Sequence, residues 1–455
     1  MRKQISPVEL AKVDTQFKYM SPAHILEINR FLLQIAERKI KRFAVFLPPR
    51  HGKSELISKY FTAWYLATHP DDRVILASYE ADFAATWGAK ARNIIETHGS
   101  DFKDNITIDE NSKARNRWDI KDHNGGMMTA GVGGPITGKG ADLLIIDDPV
   151  KNFEEANSAT YRDKAWDWYT TTAYTRLEPD GAIILIQTRW HEDDLAGRIL
   201  ANSKEDWTIL ELPALDEHGH ALWPERFNTE DINNIKEEIG SYQFEALYQQ
   251  HPQPATGGLL KRDWLDYYDK KGLNIAAFTK YTGWDLAIST KQTADYTCSC
   301  TVAHNTKTND IYVRDWTRDH ITFPEQLSMV NSQYDKYHPM LIGIETNAYQ
   351  AALPQQLLKD RILPIRNMPS VKDKVTRITS TFTMFEQGKV HLPKDHPLLD
   401  EFEKEYTTFP RGTHDDLLDA TEMAISLCSQ GGGNPYGTSG ASYEFSRARR
   451  NKQRR

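Results

Sequence analysis

The chain is poor in cysteine. Cys298, Cys300 and Cys428 are the only three in 455 residues, too few for a disulfide framework and without the paired CxxC spacing of a zinc site. It has no apolar run near the ~18 residues that a membrane span needs. Met1-Arg2-Lys3-Gln4 leads into polar sequence without a hydrophobic signal core, which predicts a protein that is neither secreted nor membrane-bound. It also lacks the positive excess of a globally cationic nucleic-acid binder. The formal charge is −7, and the ten residues from Ser446 to Arg455 hold six Arg or Lys and no acid, so the remainder is more acidic still. Any contact with nucleic acid must then come from local basic patches or from that tail. No internal repeat is visible. What remains is ordinary for a reducing compartment. At 39% hydrophobic and 26% charged residues, 455 residues build two or three packed domains.

The first half alternates short apolar runs with longer amphipathic stretches, the pattern of a mostly parallel sheet flanked by helices. Buried strands are predicted at Phe43–Leu47, Val74–Ala77, Leu143–Ile146 and Ala182–Ile186, with helices over Glu55–Ala67 and Ala81–Thr97. Aromatic Tyr161, Trp166, Trp168 and Tyr169 read as core packing of a helix. Pro and Gly cluster from His251 to Gly258, which predicts a boundary there: a first domain over 1–252 and a second over 253–430, with 253–265 as linker. The second half opens with three strand-like runs, Tyr281–Ala287, Tyr296–Ala303 and Ile311–Trp316. A helix, a fourth strand Leu341–Glu345 and more helices follow. This βββαβα order is that of a ribonuclease H-like α/β domain. Gly431 to Gly440 reads as a flexible linker, making 431–455 a solvated, disordered tail, with DNA binding or partner docking as its alternatives.

Strand Phe43–Leu47 runs into Pro48-Pro49-Arg50-His51-Gly52-Lys53-Ser54 and then a helix. A strand, a tight loop and Gly-Lys-Ser at a helix start is the layout of a phosphate site. Loop N–H groups cradle phosphates, Lys53 neutralises the outer ones, and the Ser54 hydroxyl ligates Mg²⁺. The usual first glycine is missing, since Leu47 holds that position. Leu143–Ile146 ends in Asp147-Asp148-Pro149. Asp147 can hold Mg²⁺ through water, and Asp148 can orient or deprotonate an attacking water. Gln187 and Thr188 close another buried strand, where either can sense a γ-phosphate. Gly131-Val132-Gly133-Gly134 is no dinucleotide fingerprint, because Ile136 replaces its third glycine. Gly131 to Gly140 reads as a pliant loop delivering Lys139 toward the nucleotide.

In the second half Asp285 ends the first strand and Glu345 the fourth. Asp415, Asp416 and Asp419 open the last helix, where residues three and four apart share a face. Such acids repel one another unless cations sit among them. Two Mg²⁺ or Mn²⁺ about 4 Å apart suit phosphodiester cleavage. The spacing leaves open which of Asp415, Asp416 and Asp419 touches metal.

Together Pro48–Ser54, Asp147-Asp148-Pro149, Gln187-Thr188-Arg189-Trp190, Leu222-Trp223-Pro224-Glu225 and His414–Ala420 resemble the large subunit of tailed-bacteriophage terminases, over about residues 20 to 425. The resemblance implies an N-terminal P-loop ATPase that pumps double-stranded DNA into a procapsid and a C-terminal nuclease that cuts the concatemer. It implies ATP as cofactor, a ring of copies on a portal protein, a small terminase subunit as partner, monomeric or weak self-association in isolation, and the host cytoplasm as location. By that likeness Lys53 and Ser54 bind phosphate and Mg²⁺, Asp147 is the Walker B acid, Gln187-Thr188 the coupling motif and Arg50 the loop arginine. Two departures stand out: Asp148 replaces the Glu of many members, and Lys139 replaces an arginine ahead of the Walker B strand. The runner-up reading is a helicase-like remodelling ATPase with a non-cleaving platform. A third is an assembly protein with a decayed nucleotide site.

Overall fold

A computed structural model describes residues 5–136, 140–253, 258–269, 273–287, 296–345, 357, 361–368 and 374–430. Lys139 and the basic tail lie outside the described residues, as do the expectations attached to them. The chain divides into two compact units, Met1–Pro254 and Ala255–Arg455.

Eight strands build the first unit's sheet: β1 (Arg42–Phe46), β2 (Arg73–Ser78), β3 (Ile108–Lys113), β4 (Arg117–Ile120), β5 (Gly126–Gly131), β6 (Ala141–Asp147), β7 (Leu177–Gln187) and β8 (Thr208–Glu211). Their order is β3-β4-β5-β2-β6-β7-β1-β8. The six from β5 to β8 run parallel, while β3 and β4 pair antiparallel at one edge. All four predicted strands are present, as β1, β2, β6 and β7. They read clearly because strands covered on both faces are apolar at nearly every position; all five residues of β1 are buried. The edge strands β3 and β4 are polar and half exposed, so neither apolar run nor strict alternation marks them.

Packing on the two faces forms separate apolar clusters. One gathers Phe43, Val45, Leu76, Ile145 and Ile184; the other gathers Phe46, Ala77, Ile146 and Leu185. The aromatic helix Ala159–Trp168 conforms in part: Trp168 and Tyr169 are buried and Trp166 packs against the second cluster, whereas Tyr161 is exposed.

The second unit holds β9 (Asp266–Tyr268), β10 (Thr279–Asp285), β11 (Thr297–Asn305), β12 (Asp310–Asp319), β13 (Leu341–Glu345), β14 (Ile365–Met368) and β15 (Val390–Pro393), ordered β14-β13-β10-β11-β12-β15-β9. β10, β11 and β12 form an antiparallel meander, and β13 joins β10 in parallel after the helix Phe323–Tyr337. That is the predicted βββαβ order. A closing helix, Asp416–Gln430, lies directly on β10. Gly283 permits this approach: a Cβ there would sit 2.4 Å from the Ala420 carbonyl oxygen and 2.6 Å from the Ala424 nitrogen. Among the described residues no helix is long and apolar enough to cross a membrane.

Candidate functional sites

Parallel registry sets the first site. Phe46 of β1 pairs with Gln187 of β7, and Asp147 of β6 pairs with Ile186, so Leu47, Asp147 and Thr188 emerge together at the C-terminal edge of the sheet. Crevices at that edge are where open α/β sheets bind ligands. The loop after β1 turns sharply, with Arg50 at φ 61° and Gly52 at φ 91°. A Cβ on Gly52 would come within 2.9 Å of Ile25, so the position favours glycine on both counts. Beyond Ser54 the chain enters one wide, π-type turn (Glu55–Phe61) and continues as the helix Thr62–Thr68.

Lys53 is almost wholly buried, donates to the Thr188 hydroxyl and stands 3.1 Å from Asp148 Oδ2. Asp148, at φ 45°, accepts the Thr188 N–H at 2.8 Å through its other oxygen. Two hydroxyls hold the fully buried Asp147: Ser54 donates to Oδ1 at 2.9 Å, and Ser58 to Oδ2 at 2.6 Å. Burial, with Asp148 beside it, pushes the Asp147 carboxyl up to about 7 against the pull of Ser58, Lys53 and Ser54. An anion this costly to bury fits a cation partner. In front lies a cavity of about 500 Å³, whose walls include Arg50, Gly52, Lys53, Ser54, Asp148 and Thr188.

Asp147 implies a pH effect. The unfolded carboxyl ionises near its ordinary 3.8 and the folded one near 7, so the unfolded state releases its proton first as pH rises. Stability of the metal-free protein should fall across that window and level off above it. Melting scans between pH 5 and 8 should show a smaller loss in Asp147→Asn than in the parent.

His51 and Gln187 behave differently from their neighbours. Neither lines the cavity among the described residues. His51 turns inward, with Nδ1 2.8 Å from the Pro49 carbonyl and its ring stacked on Phe227 and near Trp223. Burial holds its imidazole down at about 4, so it is neutral and braces the loop. Gln187 is buried with neither amide atom hydrogen-bonded among the described residues. Sequence reasoning missed Ser58, whose only signal is its position four residues after Ser54. It also missed Arg226, an exposed cavity-lining cation whose guanidinium lies 5.1 Å from the Trp223 ring.

The second site is built on β10, β13 and the closing helix. Trp284 and Ile344 are in register, which places Asp285 and Glu345 next to each other at the ends of adjacent parallel strands, ~5 Å apart. Glu405 secures the start of the closing helix by accepting the Leu417 N–H at 2.9 Å. Burial, then Asp419, Asp416 and Glu345, hold the Asp285 carboxyl well above its ordinary range. The four acids therefore share one electrostatic environment. Asp415 joins through Asp419, whose own carboxyl is pushed up to about 6 by burial. No three of these groups converge as a ready metal-holding set among the described residues. Two cations that the sequence reading missed occupy the cluster: Lys374 Nζ contacts Asp415 Oδ1 at 2.6 Å and also Asp419 Oδ2, and Arg377 contacts Asp419 at 3.0 Å and Glu422 at 2.7 Å. An excess of carboxylates that already recruits Lys and Arg is chemically suited to divalent ions.

Two family models match the chain: "Terminase large subunit, T4likevirus-type, N-terminal" over residues 45–265 and "Terminase RNaseH-like domain" over residues 282–427. The chain belongs to the terminase large-subunit family.

This terminase large subunit is thus a viral genome-packaging enzyme with an ATPase domain and an RNase H-like nuclease domain, and the helicase-like alternative is not favoured. Its fold is similar to that of the large terminase from a thermophilic bacteriophage, at 11% identity and a TM-score of 0.50, covering 87% of this chain and 98% of that one. The HK97 bacteriophage large terminase matches at 11% identity and a TM-score of 0.35, covering 88% and 94%. The large terminase nuclease from thermophilic phage G20c with bound magnesium matches at 17% identity and a TM-score of 0.30, covering 38% and 98%. No curated protein sequence matches the chain.

Proposed function

We propose that residues 1–252 hydrolyse ATP at the crevice around Lys53 and that residues 253–430, with 253–265 as linker, cleave DNA at the carboxylates around Asp285. The observation that carries this reading is the pair of oppositely built sites, one in each unit. The first presents cations and loop N–H groups to a polyanion, and the second presents anions that need a cation.

At the ATPase site Gly52 and the loop N–H groups bind phosphate, and Lys53 neutralises the outer phosphates. Ser54 and Asp147 would hold Mg²⁺. Asp148 orients water, a role supported by its contacts with Lys53 and the Thr188 N–H, with Arg50 and Arg226 offering positive charge from the walls. His51 acts through the loop it braces, and Gln187-Thr188 couples hydrolysis to movement through Thr188's bond to Lys53. At the nuclease site Asp285, Glu345 and Asp416 are the catalytic carboxylates, and they would hold Mg²⁺ or Mn²⁺ together with Asp415 and Asp419. Such ions supply charge that stabilises the attacking and leaving oxygens of a phosphodiester. Asp285 and Glu345 form a strand-end pair, and the closing helix brings the other acids to it. Double-stranded DNA is the substrate. A portal protein, a small terminase subunit and further copies in a ring are the proposed partners, with function in the host cytoplasm.

Plasmid DNA incubated with Mn²⁺ and the full chain should be cut, and Asp416→Ala should abolish cutting while DNA-stimulated phosphate release continues. Phosphate release without cutting under any divalent metal would leave a translocating ATPase and remove the nuclease assignment.

A further inference from the structure

Lys374 heads the helix Lys374–Thr381, outside every motif that carries the family resemblance, yet its ammonium contacts carboxylates of the acidic cluster. It contacts two carboxylates at once, Asp415 Oδ1 at 2.6 Å and Asp419 Oδ2. Arg377, one helical turn on, takes the other oxygen of Asp419 at 3.0 Å and Glu422 at 2.7 Å. The two cations differ in setting. Arg377 is largely buried and tied to Glu422, whereas the Lys374 side chain keeps 37% exposure and Asp415 31%. A compact ammonium on a four-carbon stem can leave towards water, but a forked guanidinium held by two acids is a fixed part of the wall. Both oxygens of Asp419 are taken, and no three acidic groups converge as a metal set among the described residues.

We propose that Lys374 is a built-in counter-ion of the nuclease site: it compensates Asp415 and Asp419 in the metal-free protein, competes with divalent cations for them, and thereby sets the metal affinity. This rests on the metal-nuclease reading above. Like charges gathered in a low-dielectric site destabilise the fold until a cation arrives. Lys374 supplies that cation while the site is empty of metal, and it must swing away before Asp415 and Asp419 can turn to an ion held by Asp285 and Glu345. The nuclease then folds without metal yet has an affinity low enough to be switched by metal and substrate together.

Calorimetric titration of the full chain with Mn²⁺, without nucleotide, tests this alongside Asp285→Asn, Lys374→Gln and Lys374→Arg. Lys374→Gln should bind Mn²⁺ more tightly, on the order of tenfold, since it removes the cation that occupies Asp415 and Asp419. Lys374→Arg, which keeps the charge, should stay near the parent. Unchanged or weaker binding in Lys374→Gln would overturn the proposal, because a lysine that merely orients Asp419 would weaken metal binding when removed. Identical titrations of the parent and Asp285→Asn would remove the metal-site reading and the counter-ion with it, an outcome distinct from parent binding that depends on Asp285 but not on residue 374. A second readout needs no variant. Reductive methylation of Lys374, followed by mass spectrometry, should rise severalfold when Mn²⁺ is added to the parent, and an unchanged yield would overturn the release step.

Discussion

Lys53→Ala should slow DNA-stimulated ATP turnover by roughly 100- to 1,000-fold, the range seen when one preorganised charge-stabilising donor is removed. Mn²⁺-dependent plasmid cleavage should persist. The reason lies in what Lys53 touches. It is buried between the Thr188 hydroxyl and Asp148 Oδ2, so alanine removes the cation proposed for the outer phosphates and the anchor of Asp148, the residue proposed to orient water. Turnover and nucleotide affinity therefore fall together, and a loss confined to KM would place Lys53 in ground-state binding alone. If phosphate release and cleavage both vanished in a folded protein, the two sites would not be separate.

Asp285→Asn should do the reverse and carry a second signature. Cleavage should drop below detection while ATP turnover is unchanged, because the substitution lies in the other unit. At the same time the metal-free protein should become more stable at neutral pH. Asp285 is surrounded by Asp419, Asp416 and Glu345, so its charge is a cost that the amide does not incur. A higher melting temperature together with lost cleavage marks a residue kept for chemistry at the expense of stability. A lower melting temperature would mean that Asp285 is held by partners that its geometry does not suggest. The sign also fixes a pH trend: with its carboxyl raised, the parent loses stability as pH climbs above the ordinary carboxylate range, and Asp285→Asn should lose less.

Much of the fold was legible because burial writes itself into composition. Strands covered on both faces, such as β1, β6 and the buried part of β7, are nearly continuous apolar runs, and the acids or hydroxyls that follow them, Asp147-Asp148 and Thr188, stand out by contrast. The βββαβ order was readable for the same reason. The polar edge strands β3 and β4 were not, nor were the short strands β9, β14 and β15 that extend the second sheet. These three- and four-residue strands are too short for either period to show.

Within the sites, the order of residues pointed to candidate groups for the chemistry but not to how they are held. Gly-Lys-Ser, the paired aspartates and the acids at strand ends are local patterns, set by backbone conformation and by where an apolar run stops. Ser58 beneath Asp147, His51 turned inward onto Phe227, and Lys374 and Arg377 reaching into the acids are contacts between segments tens of residues apart. No spacing along the chain encodes such contacts, because they depend on parallel register and on how closely the closing helix approaches β10 over Gly283. The sequence by itself determined two α/β units, a phosphate loop and a set of uncompensated carboxylates. Only the tertiary structure decided which cations answer those carboxylates, because electrostatic partnership is a matter of distance in space.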